Sequence, residues 1–136
     1  MAPFVWTDDL CTGSALIDDD HRNLVGLVNA FFEALAKGET NDVMCNALND
    51  LIVYTKEHFA REEAEMQRVE YVASLAHQSE HAKLIGQVVE LKAMLDAGGK
   101  INVVAVADFL SEWLRNHILT ADMKLAAALK SRKQAA

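Results

Sequence analysis

The chain has 136 residues and a mass of 15.0 kDa, and 51% of it is apolar, enough for one packed domain and too much for general disorder. A net charge of −7 and a pI near 5.1 leave no basic face for phosphate, which excludes nucleic acid as a partner. The one basic cluster, Lys124, Lys130, Arg132 and Lys133, reads as cations complementing the negative end of a last helix.

Pro3 is the only proline and the glycines are scattered, so long helices are permitted almost throughout. Residues 1–18 read as an extended N-terminal arm anchored by Phe4 and Trp6, and residues 19–131 as a helical bundle, together one domain over 1–136. A first helix over about 19–37 starts on the capping carboxylates Asp18 to Asp20 and stops at Gly38. Its inner stripe is Ile17, His21, Leu24, Val28, Phe31 and Leu35. A second helix, about 40–65, turns Met44, Leu48, Leu51, Thr55, His58 and Glu62 inward. A third, about 70–96, carries Ala73, His77, His81, Leu84, Val88, Leu91 and Leu95 and ends at Gly98 and Gly99. A fourth from about 102 presents Val103, Val106, Leu110, Leu114 and His117, and a short C-terminal helix covers about 122–131. Short connections make consecutive helices antiparallel, so the predicted fold is all-α, an up-down-up-down four-helix bundle.

All five histidines share one logic. His58 precedes Glu62 by four residues, His77 precedes His81 by four, and His117 precedes Asp122 by five, with His21 upstream. Residues four apart share a helix face, and each of these lies on a stripe that faces the core. Burying so many imidazoles and carboxylates is costly unless a cation draws them together. Five histidines and two carboxylates exceed the four ligands of a tetrahedral zinc. They suit two octahedral ions, iron or manganese; if Glu62, Asp122 and an oxo or hydroxo group each bridge the pair, one position is left open for a small diatomic. His117 and Asp122 are the exception to the spacing, since five residues on a regular helix rotate by about 140°. A helix end or π-like irregularity between Ile118 and Ala121 is therefore predicted.

The chemistry is bounded by the donor types. There is no Glu-x-x-His pair of the kind found in oxygen-activating di-iron bundles. A histidine-rich pair should stop at reversible electron transfer to oxygen. The segment His77-Gln78-Ser79-Glu80-His81 also fits a zinc-peptidase pattern, but Glu80 lies about 100° from His81 around the helix, and three histidines would go unexplained. Glu57, Glu63 and Glu65 are expected to form a solvated face. Cys11 and Cys45 are too few for a disulfide framework, no segment is apolar enough to span a bilayer, and residues 1–6 lack the basic region of a signal peptide. A cytoplasmic monomer without membrane insertion is expected.

His21, His58-Phe59-Ala60-Arg61-Glu62, His77-Gln78-Ser79-Glu80-His81 and His117-Ile118-Leu119-Thr120-Ala121-Asp122, in that order, resemble the hemerythrin family, specifically its single-domain bacterial members. The likeness includes Trp6 in the arm, Ile17-Asp18 before the first histidine and Trp113-Leu114 before the last. It implies two non-haem iron ions per chain and reversible binding of dioxygen by a carrier, store or sensor, with an oxygen-using enzyme as recipient. It also implies that His77, His81 and His117 saturate one iron, that His21 and His58 bind the other, and that Glu62 and Asp122 bridge. Leu24, Phe59, Trp113, Leu114 and Ile118 are candidates for a dry pocket at the oxygen position. The alternative is an enzyme with peroxidase, nitric-oxide-reducing or peroxide-reducing activity at the same iron pair. Asp20 stands where many relatives carry glutamine; as a helix-start residue it is expected to face solvent, whereas facing inward its charge would perturb His21 or the potential of the site.

Overall fold

A computed structural model describes residues 4–100 and 102–135; Pro3 and the side chains of Val103, Arg132 and Lys133 lie outside the described residues. Among those residues every regular element is helical: α1 (Ala15–Ala36), α2 (Asn41–Arg68), α3 (Ser74–Asp96), α4 (Val103–His117) and α5 (Met123–Ala135). A π-helical segment, Ile118–Asp122, joins α4 to α5, and a single 3-10 turn, Asp8–Leu10, interrupts the arm. α1 packs on α2 and α4, and α2 packs on α3. This is the predicted antiparallel bundle.

The helix starts are set by side-chain caps. Ser14, Thr40 and Asn102 accept from the backbone N–H groups of Ile17, Val43 and Ala105 at 3.4, 3.3 and 3.0 Å. α1 therefore begins before the predicted capping carboxylates, and Asp18 to Asp20 lie within it. Asp18 instead turns back to accept from the backbone N–H and the hydroxyl of Thr12 (2.9 and 2.7 Å), which ties the arm to the helix. Gly38 (φ +64°) closes α1, as its sequence position predicts. The α2–α3 boundary lies later than expected. α2 runs on to Arg68, Glu70 takes a left-handed φ of 52°, and the Tyr71 N–H donates to the Met66 carbonyl at 2.9 Å. Ala73 therefore falls at the cap of α3 and is exposed, not inward-facing.

Two apolar clusters result. The larger runs from Phe4 and Leu10 through Phe31, Leu48, Leu84 and Leu110 to Ile118; the smaller comprises Ile17, Met66, Leu125 and Ala126. The arm is held against α1 by reciprocal hydrogen bonds between Phe4 and Asn29, at 2.7 and 2.9 Å. Trp6 packs against the larger cluster, beneath the guanidinium of Arg22. Polar side chains converge on the bundle interior beside both clusters. No helix among the described residues is long and apolar enough to cross a membrane.

Candidate metal centre

All seven predicted ligands are buried, none more than 4% exposed, and their donor atoms meet in the bundle interior. α1 contributes His21, α2 His58 and Glu62, α3 His77 and His81, α4 His117, and the π segment Asp122. The π segment supplies the extra residue per turn that a five-residue spacing needs, so Asp122 swings to the face of His117 and their donor atoms lie 3.2 Å apart.

The seven side chains form two interlocking groups. Glu62, His77, His81, His117 and Asp122 make one; His21, His58, Glu62 and Asp122 make the other. Each carboxylate divides its oxygens between them. Glu62 Oε1 faces His77 and His81 at 3.4 and 3.2 Å, while Oε2 faces His58 and His21 at 3.0 and 3.6 Å. Asp122 Oδ1 faces His77 and His117 at 3.0 and 3.2 Å, and Oδ2 faces His21 at 2.8 Å. A shared carboxylate with one oxygen per side is the arrangement that spans a pair of cations.

The electrostatics carry the same message. Burial alone would raise the carboxyl of Glu62, yet His21, His58, His77 and His81 hold it well below the usual range. Asp122 is likewise lowered against burial and the nearby Glu62 charge, by His117, His21 and His77. Burial would lower His21 and His77, but Asp122 and Glu62 push both up to about 9. Even so, both oxygens of Glu62, both of Asp122 and both ring nitrogens of His21 are buried without a hydrogen-bond partner of good geometry. Such a density of unsatisfied buried donors and acceptors is abnormal for a polar cluster that exists only for packing. Imidazole nitrogens and carboxylate oxygens are the donors that first-row divalent metals take, so the residues fit a metal pair.

Aromatic rings brace the ligands. Phe59 stacks flat on His81 (centroids 3.6 Å apart, 2° between planes), and Trp113 stacks on His117 at 4.5 Å and 14°. Beside the centre lies a small cavity of about 40 Å³ whose lining includes Leu24, Phe59, Trp113 and Leu114 together with the edges of His21, His58 and His117. Ile118 is fully buried but lies outside that lining, so the candidate pocket comprises four of the five predicted residues. Thr55 also lines it, with its hydroxyl proton committed to the Leu51 carbonyl at 2.6 Å. Apart from Thr55, the histidines and Asp122, the lining is apolar.

Two carboxylates, Asp20 and Glu63, depart from expectation, and a third, Glu80, keeps to it. Asp20 is buried, not solvent-facing: its oxygens lie 2.9 Å from His58 Nδ1 and 2.7–2.8 Å from Tyr54 and Arg61. Its position three residues after Ile17 and four before Leu24 places it on the inner stripe, a signal that its neighbourhood of acidic residues masked. Glu63 reaches back to within 3.3 Å of His81 Nδ1. Glu80 lies 3.8 Å from His117 Nδ1 with half its side chain exposed, away from the general-base position that the peptidase pattern requires.

Fold and site together define a helical-bundle protein with a buried histidine and carboxylate cluster able to hold metal. The profile of the hemerythrin HHE cation binding domain matches residues 12–129. The bacteriohemerythrin of Pseudomonas paraeruginosa is 34% identical over 130 residues, covering 96% of this chain and 84% of that one. The bacteriohemerythrin of Methylococcus capsulatus is 33% identical over 123 residues, covering 90% and 93%. A crystal structure of wild-type hemerythrin superposes with a TM-score of 0.86 at 32% identity, covering 94% of this chain and 98% of that one. The chain belongs to the hemerythrin family.

Proposed function

We propose that the chain holds two non-haem iron ions and binds dioxygen reversibly, as a carrier, store or sensor, without catalytic turnover. The observation that carries this reading is the unequal sharing of Glu62 and Asp122: one donor group has three histidines, the other two. On this reading His77, His81 and His117 fill the positions left by the bridges on one side, and His21 and His58 leave one position free on the other. The cavity is lined by His21 and His58, and also by His117 and Asp122, so a small ligand held beside His21 and His58 would lie against apolar wall. When bound, an iron pair supplies the two electrons with which oxygen is taken up and given back.

The protein's own part is positional. Phe59 and Trp113 fix the planes of His81 and His117 by stacking. Leu24 and Leu114 keep water from the cavity, which slows loss of a reduced oxygen species. Glu62 and Asp122 keep the two halves at a set separation. Membership of the family and the names of its bacteriohemerythrin relatives support iron over manganese. The test is a metal assay joined to optical spectra under air and argon. About two irons per chain and a visible band that comes and goes with oxygen are expected; sustained turnover of peroxide or nitric oxide with a defined reductant would instead make the chain an enzyme.

A further inference from the structure

Five histidines hold the centre, and their outer ring nitrogens are treated very differently. The Nδ1 atoms of His21, His77 and His117 are buried with no hydrogen-bond partner. Those of His81 and His117 face Glu63 and Glu80 at 3.3 and 3.8 Å, carboxylates that are 31% and 52% exposed. His58 alone meets a buried, fully engaged carboxylate. The side chain of Asp20 is 10% exposed, and His58 Nδ1 lies 2.9 Å from its Oδ2. Arg61 donates through Nε and Nη2 to the two oxygens, at 2.8 Å each. The Tyr54 hydroxyl donates to Oδ1 at 2.7 Å and itself accepts from Asn23 at 3.0 Å. Four donors on two oxygens leave this carboxylate no freedom to turn.

We propose that Asp20, clamped by Arg61 and Tyr54, is a positioning residue that fixes His58 and strengthens metal binding selectively in the two-histidine half of the centre. The inference rests on the two-iron reading above. A carboxylate accepting the Nδ1 proton dictates the tautomer, so the Nε2 lone pair points at the centre, where it lies 3.0 Å from Glu62. The same hydrogen bond makes the ring a more electron-rich ligand. Arg61 compensates the buried negative charge, which keeps Asp20 from imposing an uncompensated charge on the core. The effect is stronger on this side because the one other imidazole with a carboxylate in hydrogen-bond reach, His81, meets the more exposed Glu63 at the longer distance of 3.3 Å. It acts on the half with the open position, and so on the iron that would meet oxygen.

The experiment compares wild-type protein with Asp20→Asn, which is nearly isosteric and removes the charge. In Asp20→Asn, iron in one half should bind roughly 10–100-fold more weakly in chelator competition, leaving about one iron per chain, while the other half keeps its affinity. The midpoint potential of the reloaded variant should shift upward, because less negative charge supports the oxidised state. Independently of the variant, metal-free wild-type protein should show a slowly exchanging His58 Nδ1–H in proton-nitrogen NMR. Equal affinity and potential in the two proteins, equal weakening of both halves, or a rapidly exchanging Nδ1–H in wild type would each overturn the assignment. Wild-type protein that never binds two irons would overturn the two-iron reading instead, and the Nδ1–H signal would still report the Asp20–His58 contact.

Discussion

Loading metal-free protein with ferrous iron at about pH 7.5 should expel close to two protons from His21 and His77 alone. The carboxylates of Asp122 and Glu62 raise both imidazoles to about 9 against the opposing effect of burial, so each is mostly protonated at that pH. A metal takes only the neutral ring, and Glu62 and Asp122, already ionised, release nothing. Two protons released per loading event mean that affinity falls about a hundredfold for each unit by which pH is lowered near neutrality. The same groups set the stability of the metal-free form. His21 and His77 are raised above their usual 6.5, so their contribution, on the order of a few kcal/mol, is complete below that pH and is lost as pH rises through 9. Glu62 is lowered from 4.5, so its share is present above that pH and is lost on acidification. The two shares describe the same ion pairs and do not add. Metal-free protein should therefore be most stable at about pH 4.5–6.5 and melt lower at pH 9, whereas iron-loaded protein should lack the alkaline loss. A pH-stat titration measures the protons, and circular-dichroism melts measure the stability. Release of fewer than about one proton, or identical apo melts at pH 6 and pH 9, would refute the reasoning.

Glu62→Ala should lose both irons, because its two oxygens serve both donor groups, whereas His58→Ala should retain about one; metal content after desalting decides between them. Leu24→Ala enlarges the cavity wall beside His21 and should cost about 2–5 kcal/mol in urea unfolding while speeding the decay of the oxygen-dependent band. Thr40→Ala removes the cap of α2 at the end of the bundle remote from the centre and should cost about 1 kcal/mol with iron content unchanged. Leu75→Ser, on a side chain 83% exposed, should stay within about 0.5 kcal/mol of wild type in the same unfolding assay.

The inner stripes were readable because apolar periodicity and ligand spacing obey the same geometry. Ile17, Leu24, Val28 and Phe31 on α1 are buried as read, and so are Leu48, Leu51 and Thr55 on α2. The π segment was readable for the opposite reason: a five-residue interval between two residues that must converge admits no regular helix. Helix starts were less legible. Ser14 and Asp18 compete for the same cap, and only the fold of the arm gives Asp18 a different acceptor role through Thr12. Asp20 was hidden by its type. A carboxylate at a helix start reads as solvated until the structure reveals a guanidinium and a phenol from the neighbouring helix closing over it. Ile118, a pocket candidate from the sequence, is buried in the larger apolar cluster outside the cavity lining.

The ligand layer explains how the bundle is built as well as what it binds. Seven buried polar side chains interrupt the apolar interior, with the larger cluster on the cavity side and Ile17, Met66, Leu125 and Ala126 forming a second, smaller one. That small cluster is too limited to stabilise much by itself, yet it involves α5, and α5 is continuous with the segment that carries Asp122. Leu125 and Ala126 follow Asp122 by three and four residues, so their packing should bias the rotation of the segment that carries it. The consequence runs in both directions. Metal drawn to Asp122 anchors α5 against Ile17 and Met66, and loss of metal should loosen α5 first. Hydrogen exchange along residues 123–131 should accelerate on iron removal while the amides of α2 near Leu48 and Leu51 stay protected. Uniform acceleration across the bundle would show that the smaller cluster has no separate mechanical role.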